Sequence, residues 1–362
     1  MKCAIIVLVL ALVSLGVNAQ RPLQMVHPDS VLLDDFFWLP KVDSACVLYP
    51  GMKSPETGVT MKDMAGLSGL KTRFDKLEAG ISITGSARDL SDNIRRFRSA
   101  RDMAFLAFRL ALMTRQGRYF DFCERALFNE IAGAWVDPVS KVRRKEVAEA
   151  LSAVPGMLYA VDGHDVYINM LVRNIAHIVA EDLDFRVRLM VSMPWYSQCM
   201  FAFEMDREQE FTLHIRLPHW AEGQVELSSY DASSTRSRID VYVNGDRVDK
   251  NIVDGYYVIR RRWKKGDVIK YVIPSPVIRV SDRQQSSGMA LQRGPLVYAF
   301  ENACSVRRSD GVSNTFDHDR TTIFLTSKQY DEQGMPVGQY KAFPYFWSPE
   351  KYGSLLFSRM LK

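Results

Sequence analysis

The chain has 362 residues, of which 47% are hydrophobic and 25% charged, and its net charge is +5 at pH 7. These values are typical of a soluble globular protein, and the length allows two or three domains. Basic clusters at 95–98, 143–145 and 260–265 are interspersed with acidic residues. Solvated surfaces therefore explain them better than a nucleic-acid-binding face, and we expect no nucleic-acid partner.

Residues 1–19 have the pattern of a secretory signal peptide. Lys2 precedes an apolar stretch from residue 4 to 17, and the small residues VNA form a cleavage site before Gln20. The apolar stretch is too short to span a bilayer comfortably, and no other segment approaches about 18 consecutive apolar residues. We therefore expect export to the periplasm or the extracellular space, with no membrane span in the mature chain.

Three helices are predicted before the middle of the chain. Residues 103–115 are apolar on nearly every side, which is typical of a helix buried all round. Further helices are predicted at 119–132 and at 145–160, the last broken by a Pro-Gly pair. Arg101 and Asp102 lie directly before the apolar run. This charged pair fits an ordinary helix start, where the dipole favours an acid, and it equally fits part of an active site.

From about residue 171 onward the pattern is that of β-strands. FTLHIRLPHW alternates apolar and polar residues with a period of two, and IDVYVNGDRV breaks at Asn244-Gly245, a strong hairpin signal. GYYVIRRRWKKGDVIKYVIP predicts a second hairpin with its turn at residues 264–267. Short strands with turn signals at regular spacing favour a β-sandwich. HPDSVLLDDFFWLP indicates one earlier strand, and His164 and His219 are interpreted as turn and strand residues.

The mature chain keeps four cysteines, Cys46, Cys123, Cys199 and Cys304. Four cysteines allow three full disulfide connectivities in an exported protein. None forms a CxxC motif, and none lies near a histidine at zinc-finger spacing. Isolated thiols and disulfides are both compatible with this pattern, so no pairing is predicted.

Several stretches resemble, in collinear order, segments of one known family. The stretches FTLHIRLPHWAEG, VYVNGDRV, GYYVIRRRWKKGDVI, GMALQRGPLVYAFE and YKAFPYFW resemble the carboxy-terminal β domains of glycoside hydrolase family 127. GRYFDFCERALFNEIAGA and VPGMLYAVDGHDVYINM resemble the end of its catalytic barrel, and HPDSVLLDDFFW resembles its amino-terminal strand. The characterised members of this family are β-L-arabinofuranosidases. The resemblance implies an α+β chain, with an incomplete six-hairpin (α/α) helical barrel and a carboxy-terminal antiparallel, jelly-roll-like β-sandwich.

The resemblance also divides the mature chain into three segments. Residues 20–58 would form an amino-terminal strand segment that joins the β domain, 59–170 a helical remnant of the barrel, and 171–362 the β-sandwich region. A barrel of twelve helices needs on the order of 190 residues, whereas 59–170 provide room for roughly four to six helices. The apolar helix at 103–115 would then have lost many neighbours, so the remnant must pack against the sandwich, pair with another subunit or stay partly molten. Of these outcomes we expect self-association, with a homo-oligomer formed through the exposed helical remnant.

The family's chemistry, as the resemblance implies it, requires a zinc-bound cysteine thiolate as nucleophile and a separate glutamate as general acid and base. In the family a Glu-Thr-Cys triplet opens the apolar helix, and the matching residues here are Arg101, Asp102 and Met103. A guanidinium cannot ligate a cation, and a thioether suits copper rather than zinc. The cysteine pair with the nucleophile matches Val142 and Arg143. We therefore expect the zinc cofactor to be lost.

The position of the acid/base group is less sharply defined. ISITGSARDL resembles the Thr-Gly-rich loop that leads to the family's catalytic glutamate, and Asp89 is the nearest carboxylate. Asp89 is therefore the candidate acid/base, with a solvated loop acid as the alternative. Glu124 matches a glutamate of the family's Glu-Arg-x-Leu-x-Asn pattern, and we interpret it as structural.

Three functional interpretations stay open. The first is an exported family 127-like protein related to β-L-arabinofuranosidases of plant-type arabinofuranosides, with catalysis impaired or absent because the zinc–cysteine site is missing. The second is a non-catalytic glycan-binding or scaffold protein with a carbohydrate ligand. Five aromatic residues could stack on sugars, although strand aromatics more often fill a core: Trp220, Tyr256, Tyr257, Trp263 and Trp347. The third is a truncated gene product without function.

Overall fold

The fold was analysed in a computed structural model of the chain. The residues it describes are 21–50, 52, 58–88, 90, 92–136, 144–195, 198–233, 238–283, 288–302, 304–306, 310–317, 320–326, 335, 338–347 and 358–360.

The helical elements lie mainly in the first half of the chain. In chain order they are α1 (Leu39–Leu48), α2 (Met61–Met64), α3 (Leu67–Glu78), α4 (Asn93–Thr114), α5 (Arg118–Ala126), α6 (Ala132–Val136), α7 (Arg144–Ser152) and α8 (Val154–Met157). A π-helical segment, Leu127–Ile131, connects α5 to α6. Short 3-10 helices lie at Pro28–Ser30, His219–Glu222 and Tyr345–Trp347. Among the described residues, no helix combines the length and the apolar character needed to cross a membrane.

The strands are short and mostly follow the helices. In chain order they are β1 (Gln24–Met25), β2 (Val31–Leu33), β3 (Tyr159–Asp162), β4 (Asp165–Ile168), β5 (Asn174–Ala180), β6 (Leu183–Met190), β7 (Gln198–Glu204), β8 (Gln209–Arg216), β9 (Tyr230–Ser233), β10 (Asp240–Val243), β11 (Asp246–Arg247), β12 (Ile252–Val253), β13 (Tyr256–Trp263), β14 (Val268–Val272), β15 (Val277–Asp282), β16 (Gly288–Arg293), β17 (Leu296–Phe300), β18 (Ser305–Val306), β19 (Gly311–Asp317), β20 (Arg320–Thr326), β21 (Gln339–Pro344) and β22 (Ser358–Met360).

The described strands form three mostly antiparallel sheets. The first has the order β1-β3-β4-β8-β13-β12, and the second has the order β11-β10-β14-β7-β6-β5-β2. The third has the order β18-β22-β16-β17-β21-β20-β19, with β15 paired to both β16 and β9. Two pairs are parallel, β4 with β8 and β18 with β22. The chain is therefore a mixed α+β structure.

The turn at Asn244-Gly245 closes a hairpin between β10 and β11, as predicted. The φ angles of these two residues are 54° and 95°. A two-residue hairpin turn with both φ angles positive matches the twist of the strands, and Asn-Gly adopts it most readily.

The second predicted hairpin is wrong. β13 pairs with β8 in the first sheet, whereas β14 pairs with β7 and β10 in the second. Residues 264–267 therefore carry the chain from one sheet to the other. The side chain of Asp267 fixes this crossing by accepting hydrogen bonds from the Lys264 N–H at 3.0 Å and from Asn244 Nδ2 at 2.8 Å. Alternation with a period of two identifies a strand but does not identify its partner.

The helix around the apolar run begins earlier than predicted. Asp92 caps α4, because its carboxylate accepts hydrogen bonds from the N–H groups of Ile94 and Arg95 at 2.8 and 2.9 Å. Arg101 and Asp102 consequently lie in the third turn of α4. The interpretation of this pair as a helix start is wrong, since the capping carboxylate stands nine to ten residues before it.

Two other predicted elements are corrected in extent. The helix predicted to reach residue 160 ends at Met157, and β3 and β4 follow before the expected start of the strands at 171. In HPDSVLLDDFFWLP only Val31–Leu33 is a strand, and it joins the second sheet beside β5. The next residues lead into α1, because the buried Asp35 carboxylate accepts hydrogen bonds from the N–H groups at its start.

The expected exposed helical face is also wrong. The residues Leu110 to Met113 of α4 are fully buried within the single chain. α4 packs against α3 and α5, while α1 packs against α7, so the first helix meets a late one. The buried apolar residues of helices and sheets form one large cluster. The homo-oligomer stays a prediction. The apolar surface from which it was inferred is buried within the chain.

Candidate functional site

The positions that match the family's zinc ligands hold an ion-pair cluster. Arg101 Nη2 lies 2.8 Å from Asp102 Oδ1, and Arg101 Nη1 lies 3.4 Å from Glu146 Oε2. Arg98 Nη2 reaches Glu146 Oε1 at 2.6 Å. Met103 is buried in the core. Two segments that the resemblance places around a metal, α4 and the start of α7, are thus brought together by opposite charges.

A zinc ion does not fit this cluster. Its described side chains offer a permanently cationic guanidinium and carboxylates already paired with arginines, and no described thiol is among them. The two residues that match the family's cysteine pair, Val142 and Arg143, lie outside the described residues. Neither residue type provides a zinc ligand.

The four cysteines Cys46, Cys123, Cys199 and Cys304 lie in four different places, and none of them forms a disulfide within the described part of the chain. Cys123 is buried in α5, where its thiol donates to the Ala104 carbonyl at 3.2 Å. Burial raises the pKa of the thiols of Cys123 and Cys199 far above the ordinary value, and it raises the pKa of Cys304 to about 11. Cys46 is exposed on α1. A thiolate nucleophile is therefore disfavoured at three of these four positions.

The Thr-Gly loop at residues 81–88 packs tightly on α5. Gly85 has a φ angle of +99°, and a Cβ atom there would lie 2.9 Å from Ala126 Cα. Glycine is therefore required both by the backbone conformation and by the close approach of the helix. The candidate acid/base residue, Asp89, lies outside the described residues.

The carboxylate that the loop does surround is Glu130, which the sequence did not single out. It lies in the π-helical segment and accepts hydrogen bonds from the hydroxyls of Thr84, of Ser86 at 3.1 Å and of Tyr345 at 3.4 Å. Arg96 Nε lies 3.8 Å from its other oxygen. Burial raises the pKa of Glu130, although Arg96 opposes this shift.

A raised pKa beside hydroxyl groups is typical of a general acid, and π-helical segments often occur at functional sites. Glu130, Thr84, Ser86 and Tyr345 are nevertheless all buried. The arrangement therefore connects the Thr-Gly loop, the helices and the late 3-10 helix rather than facing a substrate. The signal in the sequence is one glutamate, next to Asn129, within the largely apolar stretch ALFNEIAGA.

A second buried charge network joins the helices to the sheets. Arg216, at the end of β8, lies 2.7 Å from Asp121 and 2.6 Å from Glu124, both on α5. His219 Nδ1 lies 2.5 Å from the other Asp121 oxygen, and Trp220 Nε1 donates to Glu124 at 2.9 Å. Glu124 thus holds α5 against the first sheet, in agreement with its structural interpretation.

The charges of this network balance one another. The Asp121 carboxylate raises the pKa of His219 to about 9 against the opposing effect of burial, so the imidazole is protonated at neutral pH. Burial raises the pKa of Glu124, and Arg216 opposes that shift. No free base is left for proton abstraction among these four groups. His219 lies in a 3-10 helix, so its interpretation as a strand residue is wrong.

A cavity of about 200 Å³ adjoins this network between α3, α5 and the segment after the 3-10 helix. Its lining combines the rings of Phe74 and Phe122 with the charged side chains of Arg118, His219 and Glu226. The cavity is smaller than the roughly 300–1,000 Å³ of sites for drug-sized ligands. Its mixture of apolar rings and charges suits a small polar molecule.

The aromatic residues considered for sugar stacking mostly fill the core. Trp220, Tyr256, Tyr257 and Trp263 are buried, and Trp263 Nε1 donates to the Phe211 carbonyl at 3.1 Å. Their role as exposed stacking platforms is therefore wrong. Trp347 is only partly buried.

Comparison with known proteins identifies what this architecture resembles. Residues 165–275, from β4 to β14, match the sequence profile described as "Beta-L-arabinofuranosidase, GH127 middle domain". The resemblance to glycoside hydrolase family 127 is confirmed. The matched segment of the family includes Arg216 and His219, whereas α1 to α8 lie outside it. No curated protein matches the chain.

Solved structures share the fold over most of this chain. A GH127 β-arabinofuranosidase matches 89% of the chain with a TM-score of 0.69 and 20% identity. A GH127 β-L-arabinofuranosidase from Geobacillus stearothermophilus T6 matches 82% with a TM-score of 0.63 and 20% identity. A glycoside hydrolase matches 74% with a TM-score of 0.58 and 15% identity. The matches span 58%, 59% and 52% of those chains, so this chain is partial relative to them.

Proposed function

We propose that the chain is an exported family 127-like protein, related to β-L-arabinofuranosidases, that does not hydrolyse arabinofuranosides by a zinc–cysteine route. The observation that carries this proposal is the ion-paired Arg101 at the position of the family's metal-binding triplet. The pattern of residues 1–19 supports export.

Both the thiolate nucleophile and the metal site of a zinc–cysteine route are disfavoured by the side chains of this chain. A nucleophilic thiol near neutral pH needs a metal or a cation to stabilise its thiolate form. In this chain Cys123 and Cys199 are instead fully buried, and this burial raises the pKa of both thiols and keeps them protonated. A guanidinium at the metal position would repel Zn²⁺, and the carboxylate of Glu146 is already paired with Arg98 and Arg101.

Release of arabinose tests this proposal. The mature protein, from Gln20 onward, would be incubated with β-linked L-arabinofuranosides in the presence of Zn²⁺, with bound zinc determined on the same sample. We expect no release above the blank from a sample that is folded by circular dichroism. Turnover that depends on bound Zn²⁺ would contradict the proposal, and its loss in Asp89→Asn would show that Asp89 is the acid/base of a working site.

A second candidate function is carbohydrate binding without hydrolysis, and the cavity beside His219 favours it. Apolar rings with a few charged groups provide both stacking and hydrogen bonding to a sugar. Calorimetric titration with L-arabinose and arabinofuranosyl disaccharides tests this function. Arg118→Ala should weaken binding, whereas Arg260→Ala, an exposed arginine on β13 outside this cavity, should leave it unchanged. Equal behaviour of both variants would exclude binding in this cavity.

A further inference from the structure

We propose that His164, Glu181 and Asp182 form a binding site for one divalent cation of the zinc class, separate from the zinc position of the family. The three side chains offer one donor atom each, and these atoms all lie within 4.8 Å of one another. His164 Nε2 and an Asp182 carboxylate oxygen are in direct contact. An imidazole nitrogen and two carboxylates thus converge on one point of the surface.

Two tight turns bring these residues together. His164 lies in the turn between β3 and β4, and Glu181 and Asp182 form the turn between β5 and β6. The Thr212 N–H donates to the His164 carbonyl at 2.9 Å, and Arg207 Nη2 donates to the Asp182 carbonyl at 2.7 Å. These bonds fix the backbone of each turn without using any of the three donor atoms.

The side chain of Glu181 lies against the glycine of the neighbouring turn, and the positive φ angle at that glycine favours the residue type. Gly163 has a φ angle of +57°, and a Cβ atom there would lie 3.5 Å from Glu181 Oε1. Glu181 itself has a φ angle of 51°, a left-handed conformation that is uncommon outside glycine. The turn conformation therefore directs the glutamate back across the neighbouring turn.

The donor set selects the class of cation. Zn²⁺ takes histidine nitrogen at about 2.0–2.1 Å and carboxylate oxygen at about 2.0–2.2 Å, whereas Ca²⁺ and Mg²⁺ prefer oxygen ligands alone. The side chains of His164 and Asp182 are 51% and 66% exposed, so they can adjust to these distances. Three protein ligands leave a fourth position open, and a cleft of about 540 Å³ adjoins it.

A simple His–Asp ion pair is the competing explanation, and the chain contains a matched example. His177 Nε2 lies 2.8 Å from Asp184 Oδ1, with side chains 43% and 71% exposed. The two pairs are alike in type and exposure. Within the described ranges, however, only the His164 pair has a third ligand within reach. The third donor is what distinguishes a metal site from a surface pair.

Titration of the metal-free mature protein with Zn²⁺ tests the proposal, with Co²⁺ absorption as a second readout of the coordination. We expect one site per chain. His164→Ala and Asp182→Asn should each weaken its affinity at least tenfold, and Glu181→Gln by a smaller factor. His177→Ala is the matched control and should leave the affinity unchanged.

Several outcomes would overturn the site. They are the absence of Zn²⁺ binding at micromolar concentration, binding that His164→Ala leaves intact, and equal weakening by His164→Ala and His177→Ala. Circular dichroism of each variant excludes unfolding as the cause, since all four side chains are on the surface. The result is independent of arabinose release, so the site and the proposed function fail separately.

Discussion

The helices and the sheets of this chain differ in what they share with glycoside hydrolase family 127. The family's sequence profile matches residues 165–275, which are strands and their connections, while the helices lie outside the match. On α4, at the position of the family's metal-binding triplet, stands the ion pair of Arg101 with Asp102 and Glu146. Both regions nevertheless belong to one continuous core.

This difference shows that the buried polar contacts that join the helices to the sheets do not involve the positions that match the family's metal-binding triplet. The ties between helices and sheets are buried and specific: Arg216 with Asp121 and Glu124, and Glu130 with the Thr-Gly loop. Two of the positions that match the family's metal-binding triplet hold the charged side chains of Arg101 and Asp102, and the third holds the buried Met103. Fold kinship alone therefore does not establish an activity for this chain.

The largest effect is expected where the two regions are joined. Arg216→Met should lower the free energy of unfolding by about 3–5 kcal/mol, because it leaves the buried carboxylate of Glu124 without its cation and Asp121 with His219 alone. Urea denaturation measures this change. Arg260→Met, which removes an exposed pair with Glu210, is the matched control and should change stability by less than about 1 kcal/mol. Similar effects of both variants would show that the junction does not hold the regions together.

A pair of cavity variants tests whether the helices are as firmly packed as the sheets. Leu110→Ala in α4 and Leu213→Ala in β8 both remove a buried side chain, and each should cost about 2–5 kcal/mol. We expect one cooperative transition in each case, followed by calorimetry and by fluorescence. Two separate transitions, or a negligible effect of Leu110→Ala alone, would show that the helical region is loosely packed.

A smaller, pH-dependent effect is expected from His219. Its pKa is raised from 6.5 to about 9, so its contribution to stability is complete below pH 6.5 and is lost as the pH rises through 9. We expect the free energy of unfolding to fall by about 1–2 kcal/mol over this range. This figure already includes a reduction for solvent screening, because the ring is partly exposed.

Urea denaturation of His219→Gln at several pH values measures this contribution. The variant should lose the pH dependence between 6.5 and 9, whereas His27→Gln, at an exposed histidine, should retain it. An unchanged pH profile in His219→Gln would mean that the Asp121 pair does not set the charge of the ring.

The smallest effect is expected at Arg101, which matches the first residue of the family's metal-binding triplet. Arg101→Ala should change the free energy of unfolding by less than about 1 kcal/mol, since its ion pairs lie at the surface. Thermal denaturation measures it, with Arg98→Ala as the neighbouring control. A loss well above that of the control would assign Arg101 a structural role that surface charges do not provide.

Local signals in the sequence predicted much of the strand region. The Asn244-Gly245 turn and the strand β8 (Gln209–Arg216) depend on neighbouring residues alone, and such signals are explicit. The partner of β13 depends on which sheet the chain enters after residue 263, and this is a property of tertiary packing. The start of α4 was recognisable from Asp92, but the apolar run further on obscured it.

The candidate site was less predictable for a physical reason. The family resemblance located Arg101 and Met103, and its loop led to Asp89. Glu130 gave only the weak signal of a glutamate in a largely apolar stretch, and the pair of Asp121 with Arg216 gave none. A buried charge acquires its role from partners up to 215 residues away in sequence. Helical periodicity does not reveal such partners, because it describes one element at a time.

The most direct measurement is arabinose release from β-linked L-arabinofuranosides by the His164→Ala variant of the mature protein, supplied with Zn²⁺. This variant removes the surface cation site, so any zinc that remains bound must lie elsewhere. The account predicts a folded protein with neither turnover nor stoichiometric zinc. Turnover above the blank, together with one retained zinc per chain, would contradict it and show that the helices still build a working zinc–thiolate site.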